Sequence, residues 1–312
     1  MHALITGGSG FIGSHLSEAL LAQGHTVTAL DNLSTGRSIN IAHLTIHSRF
    51  QFVHDTITNE MVADRIVGTC DIIFHLAAAV GVELVVKDPM GTLGTNLHGM
   101  ETVLKLAHHY RKKVILASTS EMYGKSDDLP FREDSDRVIG STAKSRWSYV
   151  ESKAFDEFMG LMYHRQFGVP IVICRFFNAV GPRQIGSYVI PRLVNQALAG
   201  EPLTVYGDGN QTRCFCNVKD TVRAVIALAM EPKAVGEIYN IGSQEEITMA
   251  DLARRIRDRA QSHSSIKFIP YDEAYEKGFE DMPRRVPCIA KIKSAVGWEP
   301  IISLDQTLDE II

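Results

Sequence analysis

The sequence predicts an α/β chain: a Rossmann-type, doubly wound parallel sheet with a smaller mixed α/β lobe. Three observations predict it. Short apolar runs alternate with segments of helical period as far as residue 180. A glycine-rich turn, Gly7–Gly13, separates the first apolar run from the first helical segment. Beyond Gly181 the alternation gives way to shorter pieces punctuated by Pro182, Pro191, Pro202 and Gly207-Asp208-Gly209. The expected division is therefore residues 1–180 for the sheet domain and 181–312 for the smaller lobe, with an interleaved boundary.

The elements follow in order. Ala3–Thr6 is a buried strand that runs into the glycines. Phe11–Gln23 has helical spacing and stops at Gly24, a C-cap residue. Thr26–Leu30, closing on Asp31, then Phe50–His54 and Asp71–Leu76, read as strands, with a helix near Met61. Pro89–Tyr110 reads as a long helix in spite of Gly91, Gly94 and Gly99. Lys113–Ser118 and Pro170–Arg175 are further strands. Between them Trp147–Phe167 is a helix whose Val150, Ala154, Phe158, Leu161 and Met162 line up as one apolar stripe. Ser126–Arg146, rich in charge and small residues, reads as a surface loop.

Composition narrows the function classes. The 312 residues suffice for a sizeable core, and 45% hydrophobic with 22% charged residues is ordinary for a soluble globular chain. A net charge of -4 without a basic run gives no footprint for nucleic acid. The five cysteines lack metal-ligand spacing; Cys214 and Cys216, two apart in an expected strand, read as buried thiols or as a metal pair on one face. Met1-His2 leads straight into a strand, with no charged leader and no long apolar span, so no metal, no membrane and a cytoplasmic setting are expected.

The glycine turn points to a dinucleotide. Gly7, Gly10 and Gly13 are spaced Gly-x-x-Gly-x-x-Gly, with Gly8 adding freedom. Glycine lets the backbone turn tightly and approach a pyrophosphate, while the helix opening at Phe11, Ile12 and Gly13 aims its amides and dipole at that charge. Asp31, ending the second strand, is placed for the adenosine ribose hydroxyls and repels an extra phosphate, favouring NAD. Asn32 adjoins it, and Arg37 keeps NADP as a minority reading. Asp55 reads equally as an adenine contact or a helix N-cap. The small run Leu76-Ala77-Ala78 lets a cofactor lie against the sheet edge.

Tyr149 and Lys153 stand at i and i+4 on one helix and share a face. A free tyrosine titrates at about 10, and a nearby ammonium favours the phenolate. Tyr149 is thereby a candidate base that takes a hydroxyl proton while hydride leaves the same carbon, and Lys153 also reaches for the nicotinamide ribose. Thr119, Ser120 and Glu121 follow an apolar strand, at the strand end where parallel sheets bind ligands. Thr119 is suited to hydrogen-bond the reacting hydroxyl.

Gly7–Gly13, Asp31, Thr119, Tyr149-x-x-x-Lys153 and the run Arg175–Arg183 together resemble the extended short-chain dehydrogenase/reductases, in particular the nucleotide-sugar epimerases, dehydratases and decarboxylases. The resemblance covers nearly the whole chain. It implies tightly held NAD recycled within each turnover, a nucleotide-sugar substrate such as a UDP-sugar, and a homodimer. It also implies that Asn178 and Arg213 contact the diphosphate and that Val189, Arg192, Val205 and Tyr206 lie where the nucleobase and ribose are held. Ser120 stands where dehydratases of this group commonly carry an aspartate. The order Thr119-Ser120-Glu121, the run Ser145–Tyr149 and the run Gly278–Pro287 resemble the UDP-glucuronate decarboxylases, with Arg285 at an active-site arginine position. Arg146 or Arg285 would recognise the acid. An arginine clamped on that carboxylate would oppose loss of carbon dioxide and suit a 4-epimerase instead. Decarboxylation of UDP-glucuronate is expected first, 4-epimerisation of UDP-glucuronate or UDP-glucose next, then 4,6-dehydration.

Overall fold

The computed structural model describes residues 1–80, 88–274, 280 and 282–312. The chain forms two compact units, each drawn from three stretches of sequence. One unit comprises Met1–Thr119, Ser148–Arg175 and Val222–Tyr239; the other comprises Ser120–Trp147, Phe176–Thr221 and Asn240–Ile312.

The first unit is built on strands β1 (His2–Thr6), β2 (Thr26–Asp31), β3 (Phe50–His54), β4 (Ile72–His75), β5 (Lys113–Thr119), β6 (Ile171–Phe176) and β11 (Glu237–Ile241), in the order β11-β6-β5-β4-β1-β2-β3. The pairings β1–β2, β1–β4, β2–β3 and β4–β5 are parallel, with Ile5 opposite Ala29 on one side and Phe74 on the other. β4 is the middle strand, and the chain's direction of winding reverses between β1 and β4. Parallel strands need helical crossovers, supplied here by α1 (Phe11–Ala22), α2 (Glu60–Thr69), α3 (Pro89–Tyr110) and α4 (Ser148–Phe167). Leu4, Ile73, Val114, Leu116, Ile171 and Ile173 of the sheet pack with Ile66, Val67, Met100, Val103 and Leu104 of the helices in one buried cluster.

Helix α4 departs from the expected apolar stripe. Of Val150, Ala154, Phe158, Leu161 and Met162 only Val150 is buried, and Phe158 is 66% exposed. The buried edge is instead Val150, Ser152, Lys153, Asp156, Glu157 and Gly160. Tertiary partners overrode hydrophobic periodicity. Arg175 Nε and Nη2 donate to Glu157 at 2.9 and 2.7 Å, and Ser118 Oγ donates to Glu157 Oε1 at 2.5 Å. Asn96 Nδ2 donates to Ser152 Oγ at 3.0 Å from α3.

The second unit contains β7 (Ala179–Val180), α5 (Val189–Leu198), β8 (Leu203–Tyr206), β9 (Thr212–Cys214), β10 (Cys216–Asn217), β12 (Glu246–Thr248), α7 (Met249–Arg259), β13 (Ile266–Ile269), α8 (Tyr271–Ala274), α9 (Ala290–Val296) and α10 (Leu304–Ile311), while α6 (Val218–Met230) begins in it and ends in the first unit. Its strands pair as β7–β10, β8–β13 and β9–β12. Leu193, Leu203, Val205, Phe215, Leu252, Ile256 and Leu308 form its core. Helix α10 starts on a capping box in which Gln306 N donates to Ser303 Oγ at 3.2 Å and Ser303 N donates to Gln306 Oε1 at 2.9 Å. Cys214 and Cys216 do not share a strand, because Phe215 separates β9 from β10; both are buried, and burial pushes the Cys214 thiol up to about 12.

The 126–146 segment is mostly exposed but is tied down by buried anchors. Phe131 stacks on Tyr123 with ring centroids 4.5 Å apart, and Tyr123 Oη donates to Asn240 Oδ1 at 2.6 Å. Near its end, Glu280 accepts from Trp147 Nε1 at 2.9 Å and pairs with Lys144 at 2.7 Å and Lys125 at 3.3 Å. These donors, Lys144 foremost, hold the Glu280 carboxyl down at about 2. Gly278, Phe279 and Asp281 lie outside the described residues.

Removing Glu157 would take away the carboxylate that accepts from both Nε and Nη2 of the buried Arg175. Glu157→Ala is expected to destabilise the protein by about 3–5 kcal/mol, measured as a shift of the urea midpoint.

Candidate functional site

In the first unit, the turn after β1 closes on itself. Gly7 N donates to Leu30 O at 2.8 Å, and Gly10 N donates to Gly7 O at 3.1 Å. Gly7 has φ +72°, a conformation glycine adopts without a Cβ penalty. A Cβ on Gly13 would lie 2.2 Å from Gly7 O and 2.9 Å from Gly8 Cα, so only glycine fits there. Gly10 is the N-cap of α1 and supplies no capping side chain, leaving the helix dipole and first amides at Phe11, Ile12 and Gly13 uncovered by the helix itself.

Asp31 is buried at the end of β2. Its Oδ2 accepts from Ser9 N at 3.0 Å and its Oδ1 from Leu33 N at 2.8 Å. A carboxylate has about four acceptor sites, so capacity remains for hydroxyl donors. Arg37 is exposed, and its backbone N donates to Ser9 O at 3.1 Å; Asn40 Nδ2 donates to the same carbonyl at 2.9 Å. Exposed Asn32 accepts from Ser34 N at 3.0 Å. Asp55 is not the cap of α2. Asn59 holds that position, and Asp55 instead accepts from Thr56 N at 2.7 Å and from Asn59 Nδ2 at 3.2 Å. Leu76, Ala77 and Ala78 follow β4, and Ala77 N donates to Thr6 Oγ1 at 3.1 Å, across from the glycine turn. A glycine cradle, an uncapped helix start and a carboxylate with spare acceptor sites fit a dinucleotide.

Beneath this edge lies polar structure that sequence patterns did not single out. His75 Nδ1 shares a hydrogen bond of 2.8 Å with Thr6 Oγ1, and burial, reinforced by the Lys153 charge, pushes its pKa down to about 3. The ring is therefore neutral. Asn96 Oδ1 accepts from Ala79 N at 2.8 Å and ties that segment to α3. Tyr149 and Lys153 sit on the first two turns of α4, Tyr149 partly exposed and Lys153 buried. Lys153 Nζ donates to Asp156 Oδ2 at 3.1 Å. Thr119 ends β5, held from behind through the Ser118–Glu157 bond.

In the second unit, Ser120, Glu121, Arg146, Asn178 and Arg285 converge. Arg146 Nη1 donates to Glu121 Oε2 at 2.6 Å, and Arg285 Nη1 lies 3.7 Å from Glu121 Oε1. Arg285 Nη1 also donates to Ser120 Oγ at 3.4 Å, and its Nη2 to Asn178 Oδ1 at 3.0 Å. Asn178, at φ +37°, donates in turn to Cys214 O at 2.8 Å. Arg213 has Nη1 on the carbonyls of Thr212 and Met282, both at 2.8 Å, so part of its fork braces main chain. Arg192 lies with Cζ 4.0 Å over the Tyr206 ring and donates to Thr204 O at 3.2 Å. Val189 opens α5 half-buried, whereas Val205 is a core residue.

A dinucleotide cradle on a doubly wound sheet, with a Tyr-x-x-x-Lys helix, defines the extended short-chain dehydrogenase/reductase class of nucleotide-sugar enzymes. Residues 4–311 match the GDP-mannose 4,6 dehydratase family, and the chain belongs to it. It is 44% identical over 312 residues to a UDP-N-acetyl-α-D-glucosaminuronate decarboxylase of Bacillus cytotoxicus, covering 99% of this chain and 96% of the relative. It is 36% identical to UDP-glucuronic acid decarboxylase 1 of Danio rerio, covering 99% and 71%. Among solved structures, the UDP-glucuronic acid 4-epimerase of Bacillus cereus, in complex with UDP-glucuronic acid and NAD, superposes with a TM-score of 0.89 at 30% identity, covering 99% and 97%.

Gly13→Ala is expected to force the turn open at a strain of about 1–3 kcal/mol and to weaken NAD binding, read by isothermal calorimetry, while far-ultraviolet circular dichroism stays that of a folded chain.

Proposed function

We propose that this protein is an NAD-dependent decarboxylase of a UDP-linked uronate, working through transient oxidation at sugar C4, with UDP-glucuronate or its 2-acetamido counterpart as substrate. The observation that carries this reading is Glu121 engaged by both Arg146 and Arg285. Two guanidinium groups turned wholly on a substrate carboxylate would stabilise the ground state and hold the acid on the sugar. Here the protein's own carboxylate offsets one of the two positive charges, so a substrate acid meets a cluster with one net positive charge rather than two free cations. That favours loss of carbon dioxide over its retention, and decarboxylation over 4-epimerisation. The two decarboxylase relatives support the same choice. Ser120, in the place of the dehydratase aspartate, counts against 4,6-dehydration.

Tyr149 takes the C4 hydroxyl proton, with Thr119 hydrogen-bonded to that oxygen and the Lys153 ammonium favouring the phenolate. The glycine turn, Asp31 and Lys153 would hold NAD, which would supply reversible hydride storage when bound. The C4 ketone stands β to the C6 carboxylate. The C5–C6 bond breaks as its electron pair moves toward that ketone, and carbon dioxide leaves. Ser120 and Glu121 are assigned to the return of a proton at C5. Asn178 and Arg213 are assigned to the diphosphate, and Val189, Arg192 and Tyr206 to the nucleoside, with Val205 packed in the core of that unit. Incubation with NAD and each uronate, with products resolved by mass and NMR, should give the pentose sugar nucleotide with loss of carbon dioxide. An unchanged mass with inverted C4 would make the enzyme an epimerase, and no turnover of either acid would remove the uronate reading. Tyr149→Phe should lower the rate by about 10²–10⁴-fold.

A homodimer is part of this proposal. Phe155 and Phe158, 52% and 66% exposed, are neighbours on the outer side of α4 and offer a face for a second copy. Phe158→Glu should convert a dimer to a monomer by light scattering; an already monomeric wild-type chain would contradict it. Five free cysteines, among them the buried Cys70, Cys174 and Cys214, support a reducing, cytoplasmic setting. Among the described residues no helix is long and apolar enough to cross a membrane.

A further inference from the structure

Helix α4 buries a second acid directly beside the lysine of the Tyr149–Lys153 pair. Asp156 is fully buried and Lys153 is 2% exposed, with Nζ 3.1 Å from Oδ2. Among the described residues Asp156 Oδ1 has no hydrogen-bond partner. The carboxylate bonds Lys153 through Oδ2, and the neighbouring Glu157 charge also acts on it. Burial pushes the Asp156 carboxyl up and the Lys153 charge opposes that rise, so the two groups share one electrostatic balance. A buried acid of this kind is costly to keep unless it acts on its neighbour.

We propose that Asp156 is a positioning residue: it fixes the Lys153 ammonium in place and sets how strongly that charge acts on Tyr149. The inference rests on Tyr149 being the base. The carboxylate cancels part of the ammonium's field, which keeps Tyr149 able to give its proton back as well as take it. An enzyme that oxidises and then re-reduces its sugar needs both directions. Glu157 on the same helix is neutralised by Arg175 from β6, His75 on β4 is neutral, and α3 and β5 bring the uncharged Asn96 and Ser118.

Asp156→Asn keeps the shape and removes the negative charge. Tyr149 lies seven residues away, roughly 10 Å along the helix. A unit charge lost at that range, in an effective dielectric near 20, moves a titration by about one pH unit. Losing a negative neighbour favours the phenolate, so the Tyr149 transition should move to lower pH. The measurement is an ultraviolet difference titration of the NAD-loaded protein, with a Tyr149→Phe background to subtract the rest of the nine tyrosines. It is paired with the pH profile of uronate turnover. In Asp156→Asn the Tyr149 transition and the acidic limb of turnover should fall together by about one unit, while Asp156→Glu, which keeps the charge, stays near wild type. An unmoved or raised transition in Asp156→Asn, or an equal shift in Asp156→Glu, would overturn the proposal. If the asparagine variant does not fold, Asp156→Ser is read by the same criteria. The titration needs no turnover, so an inactive wild type would sink the decarboxylase reading and still leave this coupling to be judged.

Discussion

Glu157 accepts two hydrogen bonds from Arg175 and one from Ser118, all below the surface. This ion pair joins α4 to β5 and β6 at once. Buried charges survive only when paired and hydrogen-bonded, and the geometry that satisfies them is narrow. Helix α4 is therefore held in one rotation about its axis. That rotation places Lys153 and Asp156 inward, brings Ser152 to Asn96, and leaves Phe155 and Phe158 outward. An apolar stripe would have allowed the helix to roll and slide at small cost. The polar edge trades some stability for a fixed position of the Tyr149 turn.

The glycine turn works by a different constraint, the exclusion of side-chain atoms. Gly13 packs on the carbonyl of Gly7, and Gly7 lies against the backbone at Ala77. The turn, the start of α1 and the segment after β4 are thereby brought together at the carboxyl ends of β1 and β4, where an open parallel sheet reverses its winding and binds ligands. Thr6, His75 and Asn96 satisfy the backbone and side chains around this point, so the edge is built as a unit.

In the second unit the governing feature is charge compensation. Arg146, Arg285 and Glu121 leave one net positive charge among three ionised groups, and Arg285 is further engaged by Ser120 and Asn178. Such a cluster can meet an acid without gripping it. The distinction matters because epimerisation and decarboxylation of a uronate share the ketone and differ in how firmly the carboxylate is held afterward. Membership of the GDP-mannose 4,6 dehydratase family leaves that difference open, since relatives and neighbours carry both activities.

The strand–helix alternation, the glycine turn, Asp31 and the Tyr149–Lys153 spacing were readable from sequence alone because each depends on contacts within a few residues. A turn that needs φ > 0, a helix that needs i and i+4 on one face, and a strand flanked by glycines are written locally. The buried face of α4 was not readable this way: periodicity ranks Phe158 above Glu157, and the remote partners Arg175 and Ser118 reverse that order. Asp55 read equally as an adenine contact or a cap, and Asn59 takes the cap position instead. The meeting of Glu121 with arginines at 146 and 285 was decided by tertiary structure alone. A sequence names charged residues, but their energies depend on burial and on which opposite charge lies within a few ångströms, and both are properties of the folded chain.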